Sequence, residues 1–173
     1  MTVSAKLIGA VFIIAASSGI GFCFSVKLKE KAEKLRTAEE FFKVAESEVL
    51  YTMLPSAEII CRLAKDEVFD GFCAVKICAK MCEKGIGFPN AWEEGIKAFE
   101  KEVSLTKGEK ETLENFGNIL GRYDIESQIK GIKGIEERIS GYRESAEKEY
   151  FDKGKLYRIL GVLFGAGVVA VII

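Results

Sequence analysis

Two apolar stretches lie toward the two ends of this 173-residue chain, with mixed apolar and polar positions between them. Residues 7–26 form a run of 20 positions without a charge, and residues 159–173 form a second run of 15. As helices these runs span about 30 Å and about 22 Å, against a bilayer hydrocarbon core of about 30 Å. Adding Leu156, Tyr157 and a snorkelling Arg158 lengthens the second to roughly 27 Å. The pattern predicts transmembrane segments at residues 1–26 and 156–173.

Basic residues gather on the inner side of both stretches. Lys27, Lys29, Lys31, Lys34 and Arg36 follow the first, and Arg143, Lys148, Lys153, Lys155 and Arg158 precede the second. Only Lys6 and the N-terminal amine lie on the outer sides. The positive-inside rule therefore predicts a cytoplasmic middle segment with both termini outside. The predicted anchors at the membrane interface are Lys27, Lys29, Lys31, Lys153, Lys155, Tyr157 and Arg158.

A cleaved signal peptide is the alternative for the N-terminal stretch. Residues 15–19 supply the small side chains that a cleavage site needs. The apolar run continues past them to Val26, however, and the basic cluster behind it resists translocation. A retained transmembrane helix is the favoured interpretation.

Small residues recur four positions apart in both stretches. The pairs are Ala15 and Gly19, Ser17 and Gly21, and Gly161 and Gly165. This spacing allows close contact between membrane helices, although glycine is also simply frequent there. Such a contact could join the two segments of one chain or two neighbouring subunits.

Helical periodicity dominates the middle segment, residues 27–155. Leu35, Phe42 and Val49 repeat every seven positions, with Ala38 and Ala45 between them, and the stripe runs on from the first apolar stretch. Near the other end, Ile125, Ile132, Ile139 and Ala146 keep one register, while Ile129, Ile135 and Tyr142 fill the same face. The pattern predicts a first long helix ending near Leu54–Pro55 and a last one that Asp124 caps.

Shorter helices are predicted between the two long ones. Their predicted bounds are Ser56–Lys65, Glu67–Lys84, Asn90–Leu105, and Thr106 or Glu109 to Leu120, with turns at 85–89 and 120–124. Residues 68–79 could form a strand, but no partner strand is evident. We therefore predict an all-α protein, a cytoplasmic bundle of about six helices flanked by the two transmembrane helices.

Composition argues against several functions. The chain has no histidine, which removes the commonest general base and nitrogen ligand. Without Lys6 the remaining 24 basic residues face 26 acidic ones, a balance unsuited to binding nucleic acid. Residues 107–110 and the Glu/Lys runs at 97–110 and 136–148 are interpreted as solvated helix faces. No catalytic residues, cofactor or metal site are predicted, so an enzyme is not expected.

Cysteine and tryptophan have structural interpretations. On a helix Cys78 and Cys82 share a face, whereas Cys73 lies about 140° around from Cys78, so the three thiols cannot converge on one ion. We expect core cysteines behaving as small hydrophobic residues, and an inert Cys23. Trp92, the one tryptophan, is expected in the core rather than at a partner surface.

Several motifs together resemble the stage III sporulation protein AB family. They are residues 27–31 (KLKEK), residues 45–51 (AESEVLY) before residues 54–57 (LPSA), Leu120-Gly121-x-x-Asp124-x-x-x-Gln128, and residues 154–161 (GKLYRILG). The resemblance covers essentially the whole chain and is weakest over residues 66–91. It implies a component of the engulfment-stage channel of endospore-forming bacteria, in the mother-cell membrane facing the forespore. It also implies a cytoplasmic domain similar to the helical F domain of type II secretion and type IV pilus platforms, which sit over a hexameric ATPase.

The resemblance leads to a functional expectation. We expect a non-enzymatic membrane platform whose partners are the complex's cytoplasmic ATPase, component AA, and other channel membrane components, with self-association left open. The candidate partner-binding residues are Arg122, Tyr123, Asp124 and Gln128, although Asp124 could serve only as a cap and Gln128 only to satisfy backbone. The main alternative is a membrane-anchored scaffold or signal transducer without an ATPase partner. An enzyme acting on lipid head groups is a third option. It would need acid–base residues beside the two apolar stretches, where mainly lysine and arginine are found.

Overall fold

The computed structural model describes residues 3–52, 54–122 and 124–172, without the side chains of 3–8, 10, 14 and 170–172. Its described residues form six α-helices and one 3-10 turn, and they include no strand. The helices are α1 Val3–Thr52, α2 Ser56–Leu63, α3 Cys73–Glu83, α4 Phe88–Glu102, α5 Lys107–Ile119 and α6 Ile125–Ile172, with the 3-10 turn at Glu67–Phe69. The all-α prediction is confirmed, as are the two long helices.

The chain divides into two compact units. The end unit comprises Met1–Ala32 and Ser145–Ile173, and the bundle unit comprises Glu33–Glu144. Helices α1 and α6 contribute residues to both units, whereas α2 to α5 belong to the bundle unit alone.

An aromatic cluster forms the centre of the bundle unit. Phe41 on α1 stacks on Trp92 of α4 with ring centroids 5.6 Å apart, and Phe116 of α5 meets Trp92 edge-on at 4.8 Å. The Trp92 indole N–H donates a 2.8 Å hydrogen bond to the Leu113 carbonyl oxygen, so its polar atom is satisfied inside the core. Trp92 is fully buried, which confirms the predicted core role.

The periodic stripes predicted most of the core residues that the two long helices contribute. Leu35, Ala38, Phe42, Ala45 and Val49 are all buried. On α6 the buried members are Ile132, Ile135, Ile139 and Ala146. Ile125 departs from the pattern and is 36% exposed, because it is the first residue of α6 and lies beside the exposed turn.

The predicted helix at Glu67–Lys84 is wrong, because the chain breaks inside it. A 3-10 turn begins after Asp66, whose carboxylate accepts a 3.0 Å hydrogen bond from the Val68 N–H. At Gly71 the backbone passes so near Thr37 of α1 that an added Cβ would lie 2.8 Å from the threonine hydroxyl. The break lets both Phe69 and Phe72 reach the core. Helix α4 also begins earlier than predicted, at Phe88, because Pro89 fits the first turn of a helix.

In the end unit, α1 and α6 touch through glycine. A Cβ on Gly161 would lie 2.7 Å from the Ser17 carbonyl oxygen, and one on Gly21 would collide with the Tyr157 carbonyl oxygen. The Ser17/Gly21 and Gly161 spacing is therefore a helix contact within one chain. Gly19, by contrast, has no neighbour within 4 Å of a Cβ position.

One described helix is long and apolar enough to cross a membrane, and it lies near the N-terminus in α1. The C-terminal transmembrane helix stays a prediction, because the last four residues of its apolar run lie outside the described side chains.

Candidate partner-binding surface

The turn between α5 and α6 is built on Gly121. This residue has a φ of 81°, in the left-handed region that glycine occupies most readily. Its N–H donates a 2.9 Å hydrogen bond to Oε1 of Gln128, one turn into α6. The N–H of Arg122 in turn donates to the Ile119 carbonyl oxygen at 3.3 Å. Gln128 thus satisfies a backbone donor, as the sequence allowed.

Asp124 caps the start of α6. Its Oδ1 accepts a 3.0 Å hydrogen bond from the Ser127 N–H, which confirms the predicted N-cap. That hydrogen bond is the main reason why the pKa of the Asp124 carboxyl lies below its usual value, and the carboxylate is ionised at neutral pH. Asp124 and Gln128 therefore hold the turn in shape.

The same turn rests on the start of α2. A Cβ on Gly121 would collide with the Ser56 hydroxyl, so the α5–α6 turn and the first residue of α2 are in close contact. Residue 56 directly follows the connection between α1 and α2. Two loops of the bundle unit therefore meet at this point, where the Gly121 backbone lies against the Ser56 side chain.

Exposed side chains occur in this turn and in the last turn of α1. Arg122 is exposed and makes no side-chain hydrogen bond or ion pair within the part of the chain that the structure describes. Tyr123 lies outside the described residues. In the last turn of α1, Leu50 is 45% exposed and Tyr51 is 78% exposed, a large apolar area for a surface helix. We group Leu50, Tyr51, Arg122 and Ile125 as the turn surface, because the contact of Gly121 with Ser56 links the two segments that carry them.

The sequence interpretation did not single out Leu50, Tyr51 or Ile125 for this surface. A signal for the exposure of Leu50 and Tyr51 was available. They directly follow Val49 of the buried stripe and therefore lie off that stripe on α1. Ile125 could not be separated from the core set, because its register matches that of buried Ile132.

The predicted membrane anchors occupy the end unit. Lys27, Lys155 and Arg158 are exposed, and Lys153 pairs with Glu149 at 2.7 Å. The Tyr157 ring lies 5.6 Å from Phe24, centroid to centroid. Arg158 Nε also donates to the Gly154 carbonyl oxygen at 3.2 Å. Lys29 and Lys31 complete the predicted set on α1, and an anchoring role for these residues stays a prediction.

The cysteines of the bundle unit are not activated. Burial raises the pKa of the Cys78 thiol strongly and that of Cys73 to about 11, and it also raises the pKa values of Cys61 and Cys82. These thiols are therefore protonated at neutral pH, which makes them poor nucleophiles and poor metal ligands. Among the described residues, no group of three or more metal-binding side chains is assembled.

An acidic residue that the sequence did not single out lies between α1 and α6. Glu39 is only 7% exposed, and its carboxylate is bonded by Lys43 Nζ at 2.7 Å and by Arg143 Nε at 2.6 Å. The interpretation of Glu109 as part of a solvated face is wrong: it is buried, and its carboxylate accepts a hydrogen bond from the Thr106 N–H in a capping box. Both carboxylates are held by hydrogen bonds inside the bundle unit.

Comparison with known proteins gives one consistent result. The family model for stage III sporulation protein AB matches residues 6–173. A Bacillus subtilis (strain 168) relative named stage III sporulation protein AB is 30% identical over 167 residues, covering 92% of this chain and 94% of the relative. A solved structure of stage III sporulation protein AB superposes with a TM-score of 0.60 at 26% identity, over 70% of this chain and 96% of that one.

Proposed function

Because this chain belongs to the stage III sporulation protein AB family, we propose that it is a non-enzymatic membrane platform of a sporulation channel complex. In this proposal both apolar segments cross the mother-cell membrane facing the forespore, and the bundle unit lies in the cytoplasm. There it docks the cytoplasmic ATPase of the same complex.

The end unit supports the membrane part of the proposal. Its α1 segment is long and apolar enough to span a bilayer. Its α6 segment packs against α1 at Gly161 and Gly21, as paired transmembrane helices do. The basic collars at Lys27–Lys31 and Lys153–Arg158 favour a cytoplasmic middle segment by the positive-inside rule.

The single observation that carries the docking part is the exposed Arg122 on a turn fixed by its neighbours. Gln128 and Asp124 use their polar atoms to shape the turn. The Arg122 side chain makes no hydrogen bond or ion pair among the described residues, and Leu50 and Tyr51 in the last turn of α1 are exposed. Arginine and tyrosine are among the residues enriched at protein–protein hot spots. A rigid turn also loses little conformational entropy when a partner binds.

Binding of the ATPase component to the full chain in lipid nanodiscs tests the proposal. We expect capture by the wild-type chain, and a loss of at least about tenfold in affinity for Arg122→Ala, as for a hot-spot residue. The matched control is Lys80→Ala, which removes an exposed cation from α3 and should leave binding unchanged. Absence of capture by the wild-type chain would favour the scaffold or signal transducer without an ATPase partner. Equal losses for both variants would show that binding depends on overall charge and not on the turn.

A further inference from the structure

A groove of about 530 Å³ runs between α5 and α6 on the bundle unit, and the proposed ATPase contact does not use it. The two helices are antiparallel and meet at both ends of the groove. At one end a Cβ on Gly131 would lie 2.9 Å from Ile119, and at the other a Cβ on Gly108 would lie 3.1 Å from the Tyr142 hydroxyl. Between these contacts the helices leave room, with Asn115 on one side and Gly134 on the other.

The two rims of the groove carry opposite charge. On α5 the rim presents Glu111 and Glu114, and on α6 it presents Lys130 and Arg138. The α6 pair are eight residues apart and so lie on one helix face. The contacts of Gly131 with Ile119 and of Gly108 with Tyr142 fix how the two antiparallel helices align. Glu111 and Arg138 therefore lie at about the same level along the groove.

These charges are not neutralised across the groove. Lys130 and Arg138 are exposed and make no ion pair within the described ranges. The acidic rim pairs only along its own helix, Glu111 with Lys107 at 3.7 Å and Glu114 with Lys110 at 4.0 Å. Such exposed pairs within a helix contribute little free energy, so the rim charges stay available to a partner.

Gly134 allows a partner to approach closely. It lies inside α6, where glycine costs roughly 1 kcal/mol relative to alanine, and no heavy atom lies within 4 Å of a Cβ built there. Contacts inside the chain therefore do not explain this glycine. The groove offers a bare stretch of helix backbone at its centre, flanked by an acidic and a basic rim.

We propose that this groove is the interface through which two copies of the chain associate, with a two-fold axis running along the groove. This axis places α5 of one copy against α6 of the other at the same level. Glu111 then faces the Arg138 position of the second copy, and the reverse pair forms by symmetry. A surface whose halves carry opposite charge is self-complementary under this operation, as a two-fold interface requires.

Charge exchange between two tagged copies of the full chain tests this interface. The copies are co-expressed with different affinity tags and co-purified in mild detergent. Self-capture of Glu111→Arg and of Arg138→Glu should each fall about tenfold below wild type, because like charges then face each other twice. The two variants mixed together should capture each other at close to the wild-type level. Lys80→Glu, a charge reversal on α3, should behave as wild type.

Three results would overturn the proposal. The first is a wild-type chain that captures no second copy, and the second is full self-capture by either variant. The third is a mixed pair that fails to recover although both variants keep the wild-type unfolding temperature. A photo-crosslinker at Asn115 gives an independent readout in a mixture of ¹⁴N- and ¹⁵N-labelled chains. Links between differently labelled chains should map to residues 130–138 of the other copy, and links elsewhere or none would also contradict the interface.

Discussion

Arg143 Nε lies 2.6 Å from Glu39 Oε2 and joins α6 to α1 across 104 positions of sequence. Lys43 Nζ occupies the other carboxylate oxygen at 2.7 Å and also lies 3.9 Å from Glu136. Glu39 is almost fully buried, so both of its oxygens need partners. This cluster fixes the two longest helices against each other within the bundle unit.

Removing the carboxylate should destabilise the bundle. Glu39→Ala removes the buried carboxylate that bonds Arg143 and Lys43, and we expect a loss of about 3 kcal/mol in unfolding free energy. Urea unfolding of the detergent-solubilised chain, followed by Trp92 fluorescence, measures it. The control is Glu93→Ala, which breaks an exposed pair with Lys97 and should leave the midpoint unchanged. Similar midpoints for both variants would show that the buried cluster contributes no more than a surface pair.

The contribution of Glu39 should depend on pH. Burial acts to raise its pKa, but the hydrogen bonds from Lys43 and Arg143 outweigh burial and hold the pKa below the ordinary value of 4.5. A folded-state pKa below the unfolded one stabilises the fold above the unfolded pKa, and the gain is lost as pH falls through the folded pKa. The stability difference between wild type and Glu39→Gln should therefore shrink as pH is lowered from 6 to about 3. A difference independent of pH would contradict the paired, ionised state.

The indole hydrogen bond of Trp92 should contribute measurably to the core. Trp92→Phe removes the donor to the Leu113 carbonyl oxygen and leaves a small void, so we expect a loss of about 1–3 kcal/mol. Because this variant lacks the only tryptophan, its urea unfolding is followed by circular dichroism instead of fluorescence. Tyr51→Phe, at a side chain that is 78% exposed, should leave stability unchanged. An unchanged Trp92→Phe protein would mean that this hydrogen bond is not needed for stability.

The glycine contact in the end unit should be sensitive to side-chain size. Gly161→Leu should separate α1 from α6, because its Cβ alone would lie 2.7 Å from the Ser17 carbonyl oxygen. A photo-crosslinker at Phe24, whose ring faces Tyr157 at 5.6 Å, should link to α6 in the wild-type chain and fail to do so in this variant. Gly19→Leu has open space and should retain the link. Retention in both variants would show that glycine is not required for this contact.

Sequence periodicity predicted the parts of the fold that depend on local pattern. The buried residues Leu35, Phe42 and Val49 follow the heptad spacing, and Asp124 caps α6 as its position suggested. The Asp70–Phe72 break was missed because its cause, the approach of Gly71 to Thr37, lies in a distant part of the sequence. Glu109 was misassigned although Thr106 and Glu109 have the spacing of a capping box, a local signal that was present.

The charged cluster and the candidate surface show the limit of single-sequence reasoning. The helical spacing places Glu39, four residues after Leu35 and three before Phe42, on the buried stripe and sets it apart from exposed Glu40. Its partner Arg143 could not be predicted, because the packing of α1 against α6 brings the two together across 104 positions. The turn was recognised from its motif, and Asp124 and Gln128 have the structural duties that the sequence allowed. Partner binding by Arg122 and Tyr123 stays a prediction. The contact between Gly121 and Ser56, which joins the α5–α6 turn to the start of α2, was not visible in the sequence.

A cytoplasmic bundle unit is the claim on which the proposed platform most depends, and labelling with a membrane-impermeant maleimide tests it directly. The chain is expressed in vegetative cells with its five native cysteines replaced by serine or alanine, and single cysteines are introduced as Thr2→Cys, Ile173→Cys and Lys80→Cys. We predict that positions 2 and 173 are labelled in intact cells, and that position 80 is labelled only after permeabilisation. Labelling of position 80 in intact cells, or protection of either terminal position there, would contradict the account.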